Sequence, residues 1–490
     1  MLKVLFIAAE AVPFAKTGGL GDVIGSLPKE LKQQGVDARV MLPNYQDISE
    51  KYKKQMVFKN KFAVQVGWRQ KYCGVLEFVY EGITFYFLDN EYYFKRHGFY
   101  GYDDDAERFG FFCRAALESL ANIDFIPDVL HCHDWHTGMV SAMFDAHYRQ
   151  RPEYTNIKTL FTIHNLRYQG VFDKGILHDI LSLDWKYFTH DGVEFNNAVN
   201  FMKAGMAYSD MISTVSRTYA QEIQDPYFGE QLDGFLRKRQ NDLVGIINGI
   251  DYDVYNPATD TKIASQYDVG SLPSKAKNKL ELQQQFGLTV NVNIPVISIV
   301  SRLVGPKGMD LVEGILVDML KQMSVDTYEA QLVILGTGEA RYENFFKYMA
   351  WQYPGKISAS ILFDDALARQ IYAGSDMFLM PSLYEPCGIG QLIAMRYGTV
   401  PIVRETGGLR DTVEPYDKDM GTGNGFTFVN YNAHEMFDTI NQAVALFKNK
   451  TAWNKIVKNA IQSDYSWQKS AQEYQKIYRK IVGRELLINF

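Results

Sequence analysis

The stretch KVLFIAAEAVPFAKTGGLGDVIGSLPKELKQQGVDARVML, residues 3–42, decides the fold class of this chain. Residues 3–9 form a short apolar run, and three glycines, Gly18, Gly19 and Gly21, follow it closely. A helical pattern over residues 23–34 leads to a second apolar run at residues 36–42. Strand, glycine-rich loop, helix and strand in this order predict the start of a parallel α/β sheet.

Two series of apolar runs follow along the chain. The first continues at residues 129–132, 159–163 and 211–215, and the second comprises residues 294–301, 331–336, 357–363, 377–381 and 400–405. Runs this apolar are typical of parallel strands buried on both faces. Residues 62–88 instead alternate around a turn at Glu81 and Gly82, which predicts a small antiparallel insertion in the first series. The fold class is therefore α/β, with two Rossmann-like, doubly wound domains.

The length of the chain also requires more than one domain. Its 490 residues exceed the roughly 250–300 residues at which a single hydrophobic core stops growing. We expect an N-terminal domain at residues 1–245, a C-terminal domain at 246–465 and a final helical segment at 466–490. In doubly wound sheets, ligands bind beyond the carboxyl ends of the strands, so the loops there are the candidate site.

Composition excludes several classes of protein and partner. Lys and Arg number 51 against 57 Asp and Glu, giving a net charge of −6, which favours neither nucleic acid nor an anionic membrane as partner. The four cysteines are widely separated, as is usual in a reduced compartment. Neither a membrane-spanning run nor a signal peptide is apparent, so we expect a cytoplasmic protein.

Three glycine-rich loops carry candidate chemistry. In KTGGLGD, residues 16–22, backbone amides and Lys16 could approach an anion at the start of a helix, although a tight turn without a ligand is the alternative. In SRLVGPKGMD, residues 301–310, Arg302 and Lys307 could neutralise a diphosphate through charge-assisted hydrogen bonds. In YEPCGIGQ, residues 384–391, Glu385 could accept hydrogen bonds from sugar hydroxyls, or it could simply cap a helix.

The histidines form two further motifs. HCHDWH, residues 131–136, contains His-x-His-x-x-His and could be a metal site, but satisfied or cleft-lining histidines are the preferred interpretation. TIHNLRYQG, residues 162–170, places His164 and Asn165 just beyond a strand, and GIINGID places Asn248 near the domain boundary.

Taken together, these motifs resemble the bacterial and plant glycogen (starch) synthases, which are retaining glucosyltransferases of the GT-B fold. The motifs KTGGLGDV, HCHDWH, TIHNLRYQG, GIINGID, SRLVGPKGMDLV, YEPCGIGQL and TGGLRDTV occur in the order and spacing of that family. The resemblance implies two Rossmann-like domains facing a central cleft, with the acceptor domain first, the donor domain second, and the C-terminal helix packed on the first. It also implies transfer of glucose from ADP-glucose or UDP-glucose to the non-reducing end of an α-1,4-glucan, in glycogen biosynthesis, with no metal or other cofactor.

The resemblance further implies roles for individual residues. Arg302 and Lys307 would hold the diphosphate, His164 would lie beside the anomeric carbon, and Glu385 would lie near the glucose hydroxyls. These four are the candidate catalytic residues. The candidate substrate-binding residues are Lys16, Gly18, Gly19, Asp22, Asn165, Asn248, Phe363, Cys387, Gly388, Thr406 and Gly407.

Two departures from the family pattern affect the choice of nucleotide. Phe363 stands where relatives commonly have a Tyr that stacks on the base, and Gly390 stands where many have Thr. Both changes leave open whether the donor is ADP-glucose or UDP-glucose.

Three other functions fit the sequence less well. A dehydrogenase needs a third glycine where this chain has Ile24. A glucan phosphorylase would share the architecture but would be longer and would carry pyridoxal phosphate. A non-catalytic glucan-binding protein would not need Arg302, Lys307 and two glycine-rich anion sites.

Overall fold

The computed structural model describes residues 1–324 and 330–483, without the side chains of residues 318–324. Two compact units are present, one formed by Met1–Asn248 together with the chain from Trp467 onward, and the other by Gly249–Ser466. The boundary therefore lies three residues beyond the position expected from the sequence.

The strands of the first unit fall into two sheets. Their bounds are β1 Leu2–Ile7, β2 Val36–Pro43, β3 Val57–Val66, β4 Arg69–Tyr80, β5 Ile83–Asp89, β6 Val129–His133, β7 Lys158–Ile163, β8 Val171–Asp173, β9 Glu194–Phe195, β10 Ala198–Asn200, β11 Met211–Thr214 and β12 Leu243–Gly245. The main sheet has nine strands in the order β12-β11-β7-β6-β1-β2-β5-β4-β3. The other sheet is a small antiparallel one, β8-β10-β9.

The hairpins expected near residues 62–88 are strands β3, β4 and β5. Strand β5 pairs parallel with β2, while β4 pairs antiparallel with both β5 and β3. The hairpins therefore extend the edge of the main parallel sheet. The central strand β1 is buried on both faces over residues 4–7, as its apolar sequence predicts.

Helices connect these strands. Those of the first unit, up to residue 248, are α1 Gly19–Gln33, α2 Glu50–Lys53, α3 Glu91–Phe94, α4 Asp105–Ser119, α5 Gly138–His147, α6 Ile176–Asp179, α7 Phe201–Tyr208, α8 Arg217–Glu222 and α9 Asp233–Lys238. Helix α1 begins within the glycine-rich loop, four residues earlier than its apolar pattern indicates. The apolar side chains of α1 that face the unit are buried, including Val23, Ile24 and Leu27.

The second unit contains one parallel sheet with the strand order β15-β14-β13-β16-β17-β18. Its strands are β13 Val296–Val300, β14 Gln331–Leu335, β15 Ile357–Ser360, β16 Met377–Met380, β17 Val400–Arg404 and β18 Phe426–Phe428. Its helices are α10 Lys275–Gln285, α11 Met309–Ser324, α12 Ala340–Gln352, α13 Asp365–Gly374, α14 Gly390–Arg396, α15 Gly407–Thr412, α16 Ala433–Lys448 and α17 Lys450–Gln462. Each strand predicted from the second apolar series is present.

The last helix, α18 Trp467–Ile481, belongs to the first unit. Ser470 Oγ donates a hydrogen bond to the carbonyl of Ile247, and the side chain of Gln475 donates to the carbonyl of Gln34. The fully buried hydroxyl of Tyr478 lies 2.8 Å from Nδ1 of His131 on β6. The helix is thus attached to the interior of the first unit by a polar contact as well as by apolar packing.

We expect Tyr478→Phe to lower the free energy of unfolding by about 1–3 kcal/mol, because a buried ring nitrogen of His131 then loses its partner. Denaturant unfolding of the full chain measures this change. The matched control is Tyr45→Phe, since Tyr45 is equally buried but its hydroxyl has no hydrogen-bond partner among the described residues. Equal effects of the two substitutions would contradict the prediction.

Candidate active site

A buried carboxylate organises the glycine-rich loop that follows β1. Glu10 is 3% exposed and accepts four hydrogen bonds. The donors are the backbone N–H of Thr17 at 2.6 Å, the hydroxyl of Thr17 at 2.6 Å, the N–H of Gly18 at 3.2 Å and the hydroxyl of Tyr100 at 2.8 Å. These donors give the buried carboxylate oxygens their hydrogen-bond partners. Glu10 therefore fixes the conformation of the loop just before α1 begins.

The exposed part of this loop carries the predicted substrate-binding residues of the first unit. Gly18 and Gly19 are exposed, and no atom lies within 4 Å of a Cβ built on Gly18. Nζ of Lys16 forms an ion pair with Oδ1 of Asp22 at 2.7 Å. The loop thus offers open backbone and a lysine whose charge is already paired with a carboxylate in the first turn of the following helix, α1.

Strands β6 and β7 end side by side and bring two histidines together. Nδ1 of His133 lies 3.0 Å from Nε2 of His164, the residue directly after β7. Burial lowers the pKa of His164 to about 3, and it also lowers the pKa of His133 well below its ordinary value. Both imidazoles are therefore uncharged at neutral pH.

Asp134 connects the ends of the same two strands. Its Oδ1 accepts hydrogen bonds from the N–H of His164 at 2.7 Å and the N–H of Asn165 at 3.4 Å. Asp134 has φ 56° and ψ 178°, a combination that costs a non-glycine residue of order 1–3 kcal/mol. Burial raises the pKa of Asp134 to about 7. These two hydrogen bonds help to hold the strained backbone and fix the position of His164.

The two asparagines predicted to bind substrate lie in different surroundings. Asn165 is half-buried, and its Oδ1 accepts a hydrogen bond from the N–H of Arg167. Asn248 is 4% exposed, and its Oδ1 has no hydrogen-bond partner among the described residues.

In the second unit, the loop after β13 presents two cations. Arg302 is exposed, and its guanidinium forms no hydrogen bond or ion pair within the described part of the chain. Lys307 is half-buried and precedes Gly308, which has φ 78° and ends a turn of 3-10 helix. A Cβ on Gly308 would lie 2.2 Å from the carbonyl oxygen of Pro381, so only glycine allows the loops after β13 and β16 to approach this closely.

Glu385, in the loop after β16, lies beside Lys307. Its Oε2 is 2.5 Å from Nζ of Lys307 and accepts a hydrogen bond from Oγ of Ser382 at 3.0 Å. The carboxylate is largely buried, with only 8% of the side chain exposed. The N–H of Leu383 donates to the carbonyl of Pro306, which ties the two loops together. The structure therefore brings Lys307 and Glu385, two of the predicted catalytic residues, into direct contact.

The remaining predicted residues of the second unit belong to the loops after β16 and β17, with one exception. Cys387 and Thr406 are buried, and the carbonyls of Cys387 and Gly388 accept hydrogen bonds from the side chain of Gln391. Gly407 has φ 46°, and a Cβ there would lie 1.9 Å from the carbonyl oxygen of Glu385.

Phe363 is the exception. It lies beyond β15, which ends at Ser360, whereas the sequence predicted a strand that reached Phe363. Its side chain is 86% exposed.

The histidines of HCHDWH are engaged with protein groups. His131 and His133 share a face of β6, with ring centroids 4.0 Å apart, and His131 contacts Thr162 and Tyr478. His136 packs instead against Trp135 and other aromatic rings. Over residues 1–324 and 330–483, no group of three or more His, Cys, Asp or Glu side chains is arranged to hold a metal ion.

Sequence analysis missed Glu10, His133 and Asp134 as members of this site. Asp134 and His133 stand in the quoted HCHDWH motif, but their partners come from β7, some 30 residues later. Glu10 stands directly after the first strand, and a charged residue at that position was the available signal.

Comparison with known proteins shows the family of the chain. Residues 3–238 match the starch synthase catalytic domain family, and residues 282–462 match the glycosyl transferases group 1 family. The glycogen synthase of Clostridioides difficile is 54% identical over 484 residues, covering 98% of this chain and 100% of that protein. The glycogen synthase of Desulforamulus reducens is 52% identical over 481 residues, covering 98% of this chain and 99% of that protein. The chain belongs to the glycogen synthase family.

Solved structures support the same assignment. The catalytic domain of starch synthase IV from Arabidopsis thaliana, bound to ADP and acarbose, has a TM-score of 0.89 and is 32% identical. The match covers 99% of this chain and 100% of that one. The sucrose-phosphate synthase of Thermosynechococcus elongatus has a TM-score of 0.62 at 15% identity and shares the fold. This member of the family is a glucosyltransferase with the GT-B fold. Among its described helices, none has the length and apolar character needed to cross a membrane.

The buried Asp134 makes stability depend on pH. Its pKa is about 7 in the folded chain against an ordinary value of 3.8, so between these values the folded state keeps a proton that the unfolded state loses. We expect the free energy of unfolding, relative to that of Asp134→Asn, to fall as pH rises from about 4 to about 7 and then to level off. Denaturant unfolding of both proteins across this range measures the difference. A difference that does not change with pH would contradict the prediction.

Proposed function

We propose that this chain transfers glucose from ADP-glucose to the non-reducing end of an α-1,4-glucan with retention of configuration, as a step of glycogen biosynthesis. The proposal rests most directly on the contact between Lys307 and Glu385 at 2.5 Å, with the exposed Arg302 in the same loop as Lys307. Relatives named glycogen synthase, about half identical over nearly the whole chain, support the acceptor. The starch synthase neighbour, solved with ADP and acarbose, supports an adenine nucleotide donor and a glucan-like acceptor.

Breaking the bond between glucose and a nucleoside diphosphate develops negative charge on the phosphate and positive charge on the sugar. Arg302 and Lys307 supply preorganised positive charge for the first, and such electrostatic stabilisation usually contributes most to catalysis. Two protein cations perform the neutralisation that a divalent metal performs elsewhere. We therefore infer that the reaction needs neither a metal ion nor another cofactor.

The carboxylates of the predicted site favour a reaction that retains the configuration of glucose without a covalent glucosyl-enzyme intermediate. A retaining enzyme that forms such an intermediate places a nucleophilic carboxylate and an acid/base on the two sides of the scissile bond. Among the predicted site residues the carboxylates are Asp22 and Glu385, and each is already paired with a lysine, Asp22 with Lys16 and Glu385 with Lys307. We infer front-face displacement, in which the departing phosphate helps to take the proton of the acceptor hydroxyl, and Glu385 acts on the glucose hydroxyls and on Lys307.

For the other site residues we propose binding roles. Lys16 and Asp22 would contact the phosphate and glucose of the donor, and His164 would lie beside the anomeric carbon. The open ring of Phe363 would stack on the nucleotide base, which requires no hydroxyl group. The backbone and side chains of the glycine-rich loops would supply the remaining contacts, through Gly18, Gly19, Asn165, Asn248, Cys387, Gly388, Thr406 and Gly407.

The first test is incorporation of label from radioactive ADP-glucose or UDP-glucose into glycogen, with EDTA present. We expect incorporation from ADP-glucose, and we expect EDTA to have no effect because the protein's own cations hold the diphosphate. Incorporation from UDP-glucose alone would contradict the donor assignment. Failure with both donors would contradict the proposed reaction itself.

The second test separates turnover from acceptor binding. We expect Arg302→Ala and Lys307→Ala each to lower kcat by roughly 10²–10³-fold while the KM for glucan stays nearly constant, because these cations act on the leaving group. The control is Arg341→Ala, since Arg341 is a largely exposed cation of the same unit that pairs with Glu313. Weaker glucan binding at unchanged kcat would contradict the assignment of Arg302 and Lys307.

A further inference from the structure

His133 occupies a closely defined position between two other rings. Its ring lies 5.6 Å from that of Phe6, with planes only 11° apart, and 4.0 Å from the ring of His131 on its own strand. Its exposed fraction is 0%. Packing of this kind leaves the imidazole little freedom to rotate, so the direction of its hydrogen bond is fixed by the fold.

His131 cannot act as a polar partner of His133, because both of its own ring nitrogens are engaged. Its Nε2 lies 2.6 Å from the hydroxyl of Thr162, and its Nδ1 lies 2.8 Å from the hydroxyl of Tyr478. Nε2 of His133 is buried and has no hydrogen-bond partner among the described residues. The contact between Nδ1 of His133 and Nε2 of His164, at 3.0 Å, is then the one polar contact of the His133 ring in this part of the chain.

Two neutral imidazoles can share such a contact in two ways. If Nε2 of His164 donates, the proton of His133 must lie on its Nε2, which places an N–H in a buried position without an acceptor. If Nδ1 of His133 donates, the nitrogen left without a partner carries no proton. Buried N–H groups without acceptors are rarer in proteins than buried acceptors without donors, so the second arrangement is favoured.

We propose that His133 is a positioning residue that donates from Nδ1 to Nε2 of His164 and thereby keeps the proton of His164 on Nδ1. Nδ1 of His164 makes no hydrogen bond within the described residues. In this tautomer it presents an N–H donor, suited to a hydroxyl or phosphate oxygen of a bound sugar nucleotide. In the other tautomer, Nδ1 of His164 would carry a lone pair in place of a proton. That lone pair would repel the lone pair of the same ligand oxygen. The tautomer of His164 thus decides which ligand atoms it can bind.

Nitrogen NMR of the full chain labelled with ¹⁵N-histidine tests the tautomer directly. The signals of His164 are assigned by their loss in His164→Asn. We expect Nδ1 of His164 to have the shift of a protonated ring nitrogen and Nε2 that of an unprotonated one. A protonated Nε2 in the unmodified chain would overturn the proposal. The variant His164→Asn serves only to assign the signals, and the result does not depend on activity.

Substitutions of His133 test its role. In His133→Asn the side-chain amide can still donate from near the position of Nδ1, so we expect the tautomer to be kept. In His133→Leu no donor remains, and we expect the His164 signals to move toward the other tautomer. The matched control is His131→Asn, two residues earlier on β6, which alters the same buried layer without removing the donor to His164. An unchanged His164 tautomer in His133→Leu would overturn the proposal.

The kinetic consequence rests on the proposed glucosyl transfer, whereas the NMR result does not. We expect His133→Leu to lower kcat roughly a hundredfold, because a binding group of the site is then misoriented, with little change in the KM for glucan. In His133→Asn, we expect kcat to recover most of the way to that of the unmodified chain. If the loss in His133→Leu came only from the cavity that the substitution leaves, His133→Asn would not recover it.

The NMR result and the activity can disagree. If the His164 tautomer changes in His133→Leu as expected but the unmodified chain has no synthase activity, the proposed function is contradicted and the role of His133 stands. Equal kcat in His133→Leu and the unmodified chain would overturn the catalytic part of the inference.

Discussion

Parallel strands place all of their carboxyl ends at one edge of a sheet, and this constraint positions the candidate site residues of both units. In the first unit, β1 leads to the loop ordered by Glu10, β6 ends at His133, and His164 directly follows β7. In the second unit, β13 and β16 end just before Arg302 and Glu385. Residues far apart in the chain become neighbours only because the strands that carry them are hydrogen-bonded in register.

In each unit, several charges of the candidate loops are already paired before any ligand binds. Lys16 pairs with Asp22, Lys307 pairs with Glu385, and the carboxylate of Glu10 is surrounded by hydrogen-bond donors. Isolated buried charges are costly, and these contacts lower that cost for the buried side chains of Glu10 and Glu385. A diphosphate that approached Lys307 would therefore compete with Glu385 for the ammonium group. The exposed guanidinium of Arg302 has no such internal competitor among the described residues.

The buried histidines differ from these ion pairs because they carry no charge. Within the described part of the chain, no carboxylate forms an ion pair with the rings of His131, His133 and His164, and burial lowers the pKa of each. The rings therefore carry no net charge at neutral pH, and their polar contacts depend on the direction of their hydrogen bonds. Helix α18 takes part in the same layer, because Tyr478 reaches His131. The final segment of the chain thereby contributes to the interior that surrounds His164.

The sequence by itself determined the fold class, the positions along the chain of most of the strands and the positions of the glycine-rich loops. These features depend on local patterns of apolar residues and on glycines such as Gly308, whose positive φ is a requirement of its own turn. The tertiary structure alone decided which side chains meet. The contacts of Glu10 with Tyr100, His133 with His164, Asp134 with the backbone of His164, and Lys307 with Glu385 join segments 30 to 90 residues apart. No local pattern records such contacts, because they arise from strand register and from the need of each buried polar group for a partner.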